Sequence, residues 1–187
     1  MEILAICGSV RAGSFNAMVV RTLPLLAPAG MKIVAAPSIE SVPTYNADLQ
    51  ANGFSNVVLQ IGDAIHKADG VIIVTPEYNY SIPGILKNAI DWVSRLPDQP
   101  FKNKPIALQS ASQGVLGGVR AQYHLRQILV FVEGLVLNKP EVFISGVQNK
   151  ADASHGELTD GSTRDLIKQQ LHAFETFVRG IKRNAIE

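Results

Sequence analysis

The chain has 187 residues, with 17 Lys and Arg against 16 Asp and Glu for a formal charge of +1, and 47% of its residues are hydrophobic. That length and apolar content support one buried core and exclude a disordered chain, while the near-neutral balance leaves no electrostatic footprint for nucleic acid or an anionic membrane. The single cysteine, Cys7, excludes a disulfide framework, and no apolar run approaches a membrane span.

The N-terminus has no basic region ahead of an apolar core, so it does not read as a signal peptide. These features fit a cytoplasmic protein that binds neither nucleic acid nor membrane. Residues 3–7 form the first short apolar run and predict a strand. Cys7 at its end is expected to be buried and inert.

The loop that follows reads GSVRAGSFN over residues 8–16. Gly8 and Gly13 have phosphate-loop spacing, but Ser14 stands where that motif has its lysine. The loop still has the chemistry of an anion site. It leads into a helix start, whose unpaired N–H groups carry partial positive charge. Ser9, Ser14 and Asn16 supply hydrogen-bond donors, and Arg11 a fixed cation. The plainer alternative makes Ser14 a helix cap and Arg11 a solvated loop charge.

Pro24 is expected to break or kink the first helix near residue 22. A second strand is predicted over 33–36, a helix over 54–68, and a third strand over 71–74. The next loop, PEYNYSIPG, has two prolines and a glycine bracketing a rigid turn. Pro76, Glu77, Tyr78, Asn79 and Tyr80 sit there, with aromatics and amides suited to flank a flat heterocycle; packing of the two tyrosines on the core is the alternative. Glu77 is also a candidate proton relay.

Helical period runs over 82–96, with apolar residues at 82, 85, 86, 89, 90, 93 and 96. Asn88, Asp91, Trp92 and Arg95 fall opposite that stripe, an interface-like face. A fourth strand is predicted over 106–108, then a glycine-rich loop over 109–118 carrying Ser112 and Gln113, then a helix over 117–135. Val142–Ile144 predicts the fifth strand, and 145–163 a surface excursion. A last helix follows the capping-box-like stretch Ser162-Thr163-Arg164-Asp165. The four histidines show no metal spacing, and no metal is expected.

Strand and helix alternating five times predict a doubly wound parallel sheet with helices on both faces, an α/β fold of one domain over 1–187. Ligands of such sheets bind beyond the carboxyl ends of the strands, where loops one, three and four lie.

Taken together, GSVRAGSFN, TPEYNYSIPGILKNAIDW and QSASQGVLGG resemble the NADPH-dependent FMN reductase family of flavodoxin-like proteins, and within it the bacterial soluble quinone and chromate reductases. The resemblance implies sheet order 2-1-3-4-5, bound FMN, NAD(P)H as co-substrate and two-electron reduction of quinones, chromate or other small acceptors. It implies that Ser9, Arg11, Ser14, Phe15 and Asn16 hold the phosphate and ribityl end. Pro76, Glu77, Tyr78, Asn79 and Tyr80 would line the ring system, with Ser112 and its neighbours at its far edge. It further implies a homodimer or homotetramer, with Trp92, Arg95, Arg120, Tyr123 and Glu141 as candidate contacts, Glu141 pairing with Arg120 and Tyr123 across a second interface. Two other readings are a flavodoxin-type electron carrier, disfavoured by the near-neutral charge, and a reductase that hands reduced flavin to a partner.

Overall fold

A computed structural model describes residues 1–184; residues 185–187 of the predicted domain lie outside the described residues. The strands are β1 (Glu2–Cys7), β2 (Lys32–Ala35), β3 (Gly70–Thr75), β4 (Pro105–Ala111), β5 (Leu135–Val136), β6 (Val142–Ile144), β7 (Ala151–Asp152) and β8 (Glu157–Leu158). The helices are α1 (Phe15–Leu26), α2 (Ala47–Ala51), α3 (Asn56–Lys67), α4 (Gly84–Val93), α5 (Val119–Phe131) and α6 (Gly161–Asn184).

The main sheet is parallel, in the predicted order β2-β1-β3-β4-β5. The fifth position departs from expectation. It is shared by β5, which pairs with Pro105–Ile106, and β6, which pairs with Gln109–Ala111, so the sheet has six strands rather than five. Side chains alternate between two cores, as the period of a strand requires. Leu4, Ile6, Val71, Ile73, Ile106 and Leu108 face α3, α4 and α5, whereas Ile3, Ala5, Ile72, Val74 and Ala107 face α1 and α6. All six β3 residues are buried, which explains its unbroken apolar run.

Three local expectations are corrected. Pro24 does not break α1, because it lies in the last turn, where Leu23 and Leu26 pack on the sheet and only two helical residues follow it. The 145–163 segment is not merely a surface excursion. Val147 and Leu158 on it are fully buried, and Thr22 Oγ1 accepts from the Leu158 amide at 2.9 Å. Asp160, not Ser162, caps α6: its carboxylate accepts from the Thr163 hydroxyl at 2.6 Å, the Ser162 hydroxyl at 2.7 Å and the Thr163 amide at 2.8 Å. Those hydrogen bonds, led by the hydroxyls of Thr163 and Ser162, hold its pKa down at about 2.

Trp92 is the largest correction. It points into the chain rather than outward, with 1% exposure. Its Nε1 donates to the Pro43 carbonyl at 2.8 Å, and its ring meets Tyr45 and Phe54 edge-on at 5.2 and 6.1 Å. Asn88 joins it, donating to the Pro43 carbonyl and accepting from the Tyr45 amide. The segment after β2 folds over this side of α4, so a residue opposite the sheet-facing stripe is buried all the same. Arg95 stays exposed, stacked 5.3 Å from the Tyr45 ring centroid.

Trp92→Ala should therefore cost about 3–5 kcal/mol of folding stability, as truncation of a buried aromatic does. Urea unfolding at two protein concentrations checks this. Unchanged stability with only a shift in association would return Trp92 to an interface.

Candidate active site

The loops after β1, β3 and β4 converge at the carboxyl edge of the sheet. They enclose a cleft of about 240 Å³ lined by residues of all three, among them Ser9, Arg11, Pro76, Glu77, Ser112 and Gln113. Ligand-enclosing pockets run to about 300–1,000 Å³. A cleft of this size grips one end of a ligand and leaves the rest open.

Loop one reaches the cleft by passing close to β3. The Gly8 amide donates to the Val74 carbonyl at 2.7 Å, and a Cβ on Gly8 would stand 2.7 Å from Thr75 Oγ1. Only glycine allows that approach. Ser14 is the N-cap of α1, its Oγ accepting from the Ala17 amide at 3.3 Å. The capping alternative thus holds for Ser14, and its hydroxyl proton remains free to donate. The Phe15 and Asn16 amides belong to the first helical turn, which has no intrahelical acceptors to offer them.

Asn16 has a different task from the one its sequence position advertises. It is 3% exposed, its Nδ2 donates to the Ala111 carbonyl and its Oδ1 accepts from the Ala111 amide, both at 3.0 Å. Its amide group is committed to joining α1 to β4. Arg11 is exposed, 5.7 Å above the Phe15 ring, and forms no ion pair among the described residues. It is the cation available at this end of the cleft.

Loop three is a tight hairpin. Tyr78 and Ser81 exchange backbone hydrogen bonds at 2.9 and 3.0 Å, and Asn79 and Tyr80 turn between them with φ of 49° and 69°. Both residues are exposed and lie outside the cleft lining, whereas Pro76, Glu77 and Tyr78 are in it. The Tyr80 ring instead carries the Arg120 guanidinium at 3.9 Å. Glu77 reaches across to α5: its carboxylate accepts from the Arg120 and Ala121 amides at 3.0 and 3.3 Å and pairs with the Arg120 side chain at 3.2 Å. It caps that helix. Its geometry is that of an anchor between loops three and four.

Loop four brings Ser112 as expected, together with Ala111 and Gln113. Ala111, a neighbour of Ser112 in the expected loop, is instead the last residue of β4, which runs three residues beyond the predicted strand end at 108. Glu141 finds partners in its own chain, Lys139 at 2.8 Å and Arg126 at 3.9 Å, and the Lys139 hydrogen bond holds its carboxyl below the usual range. Cys7 is half-buried, its thiol donating to the Ser9 carbonyl at 3.3 Å, and burial pushes its pKa up. Among the described residues no group of His, Cys, Asp and Glu could hold a metal, and no helix is long and apolar enough to cross a membrane.

The family model described as NADPH-dependent FMN reductase matches residues 1–149. The chain belongs to that family. It is 54% identical over 183 residues to a quinone reductase of Escherichia coli strain K12, covering 97% of each chain. It is 49% identical over 182 residues to an NAD(P)H-dependent FMN reductase of Pseudomonas aeruginosa, again covering 97% of each. Among solved structures, FerB, a flavoenzyme NAD(P)H:(acceptor) oxidoreductase of Paracoccus denitrificans, superposes with a TM-score of 0.83 at 34% identity over 97% of both chains.

The anchoring role of Glu77 is testable by stability. Glu77→Ala should lose about 1–2 kcal/mol, the value of a helix cap, and Glu77→Gln, which keeps one acceptor, about half of that. Urea denaturation checks both. An unaltered midpoint for Glu77→Ala would contradict the anchor.

Proposed function

We propose that this protein is an FMN-dependent NAD(P)H oxidoreductase that reduces quinones by two electrons. The observation that carries the reading is the cleft itself: a free cation and an open helix start at one end, an aromatic hairpin at the other, both beyond the carboxyl ends of parallel strands. The donor set fits a phosphate monoester bound without metal. Arg11, the Ser9 and Ser14 hydroxyls and the Phe15 and Asn16 amides face that end. Pro76, Glu77, Tyr78 and Ser112 supply the walls for the ring, and Asn79 and Tyr80 shape the hairpin from outside.

Bound FMN supplies the hydride chemistry, and the protein supplies position and electrostatics. Arg11 neutralises the phosphate, Asn16 sets the distance between loops one and four, and Glu77 holds the hairpin against α5. NAD(P)H and quinone take turns at the open side of the cleft. The similarity to a quinone reductase and to an FMN reductase across nearly the whole chain supports this class of reaction.

Finer points belong to the same reading. The protein is one domain over 1–187 and cytoplasmic, in keeping with its single free cysteine. It also accepts chromate as a soluble oxidant. It assembles as a homodimer or homotetramer, supported by the exposed Tyr123, Val130 and Phe131 along α5, with Arg95 exposed on α4.

Anaerobic addition of NADPH to the yellow protein tests the function. A reductase bleaches within seconds, and steady-state plots at several quinone levels run parallel. Protein that stays yellow would make it a carrier, and intersecting lines would mean that donor and acceptor bind together.

A further inference from the structure

The sheet-facing side of α5 carries an amide among apolar side chains. Gln122 is 1% exposed, and its Nε2 donates to Ser110 Oγ and to the Val142 carbonyl, each at 2.8 Å. Ser110, fully buried on β4, passes the contact on, its Oγ donating to the Gly117 carbonyl at 2.6 Å. Gly117 has φ +60°, and a Cβ there would lie 2.8 Å from the Phe143 carbonyl carbon and 2.9 Å from the Ile144 nitrogen. Loop four has no slack at this point.

The other end of the loop is held separately. The Ser112 amide donates to the Ile144 carbonyl at 2.9 Å, and Ser112 Oγ accepts from the Gly114 amide at 3.0 Å. Gln122 is thus the buried origin of a series of contacts, α5 to β4 to loop four, that ends at Gly117; on the next residue, Gly118, a Cβ would stand 3.9 Å from Cβ of Glu77, which lines the cleft. It also leaves a buried acceptor, Oε1, with no donor. An apolar side chain of the same size would avoid that penalty and fill the space equally well. Such a violation of core chemistry is expected where a polar group has a positional task.

We infer that Gln122 is a positioning residue for the flavin: through Ser110 it fixes the Gly117–Gly118 end of loop four, and with it the start of α5 that holds Glu77 in the wall of the cleft. The inference rests on the FMN reading above. It assigns Gln122 to the ring end of the cleft, distinct from the phosphate end held by Arg11. The two ends separate experimentally, since FMN and riboflavin share the ring and differ in the phosphate.

The test is fluorescence titration of the flavin-free full chain with FMN and with riboflavin. Gln122→Met should raise both dissociation constants about tenfold, the value of the one of its two buried hydrogen bonds that reaches Ser110, with their ratio unchanged and the absorption band of the bound flavin shifted. Arg11→Ala should raise the FMN value alone. Ser110→Ala should resemble Gln122→Met, and the double variant should be no more than about twofold worse than the weaker-binding single variant, because residues acting in series are not additive. Wild-type affinity for both flavins in Gln122→Met, a loss confined to FMN, or additive losses would each overturn the assignment. If circular dichroism shows that Gln122→Met does not fold, Ser110→Ala decides, and an unchanged riboflavin constant there overturns it. A wild-type chain that binds neither flavin would overturn the FMN reading itself, an outcome distinct from all of these.

Discussion

The Asn16 side chain and the Ala111 backbone form a two-point hydrogen bond, 3.0 Å in each direction, at the floor of the cleft. Sheet order makes this contact consequential. β1 and β4 are not neighbours; β3 lies between them. The loops that leave their carboxyl ends are therefore separated by the width of β3. Asn16 spans that gap from the first turn of α1. Because the pair is buried, loss of either bond leaves a backbone group unsatisfied, which costs about 1–3 kcal/mol. The spacing of loops one and four is therefore part of the folded state before any ligand arrives.

The remaining contacts complete the frame. Glu77 joins loop three to the start of α5, and Ser110 joins α5 and loop four to β4. Charge is distributed to match. The Glu77 carboxylate is answered by Arg120 and by the α5 helix start, so it adds little negative field to the cleft. Arg11 is left without a carboxylate at the opposite end, beside the α1 helix start. A cleft so arranged favours an anion at one end and a flat neutral ring at the other.

Five of the strands were legible because β1, β2, β3, β4 and β6 follow their apolar runs, while their order was legible only through the family resemblance. The three loops were legible because they hold glycine, proline and hydroxyl residues just after those runs. Three features were hidden for physical reasons. The end of β4 carries Gln109 and Ser110, which read as loop yet are fully buried, Gln109 Nε2 donating to Gln170 and Ser110 Oγ joined to Gln122 and Gly117. Trp92 read as outward because helical period marks only the sheet-facing stripe, and nothing local announces that residues 43–45 return to cover the other side. Asn16 read as a ligand donor because a sequence shows the group and not its partner, which lies 95 residues away.

Amide hydrogen exchange at Ala111 in the flavin-free protein tests the preformed cleft most directly. The amide sits at the last residue of β4, and it is protected only if Asn16 Oδ1 holds it. Protection comparable to that of Leu108 within the same strand is the expected result. Exchange at the rate of an open loop, with protection gained only when flavin is added, would show that the ligand builds the cleft and would contradict its preformation by Asn16.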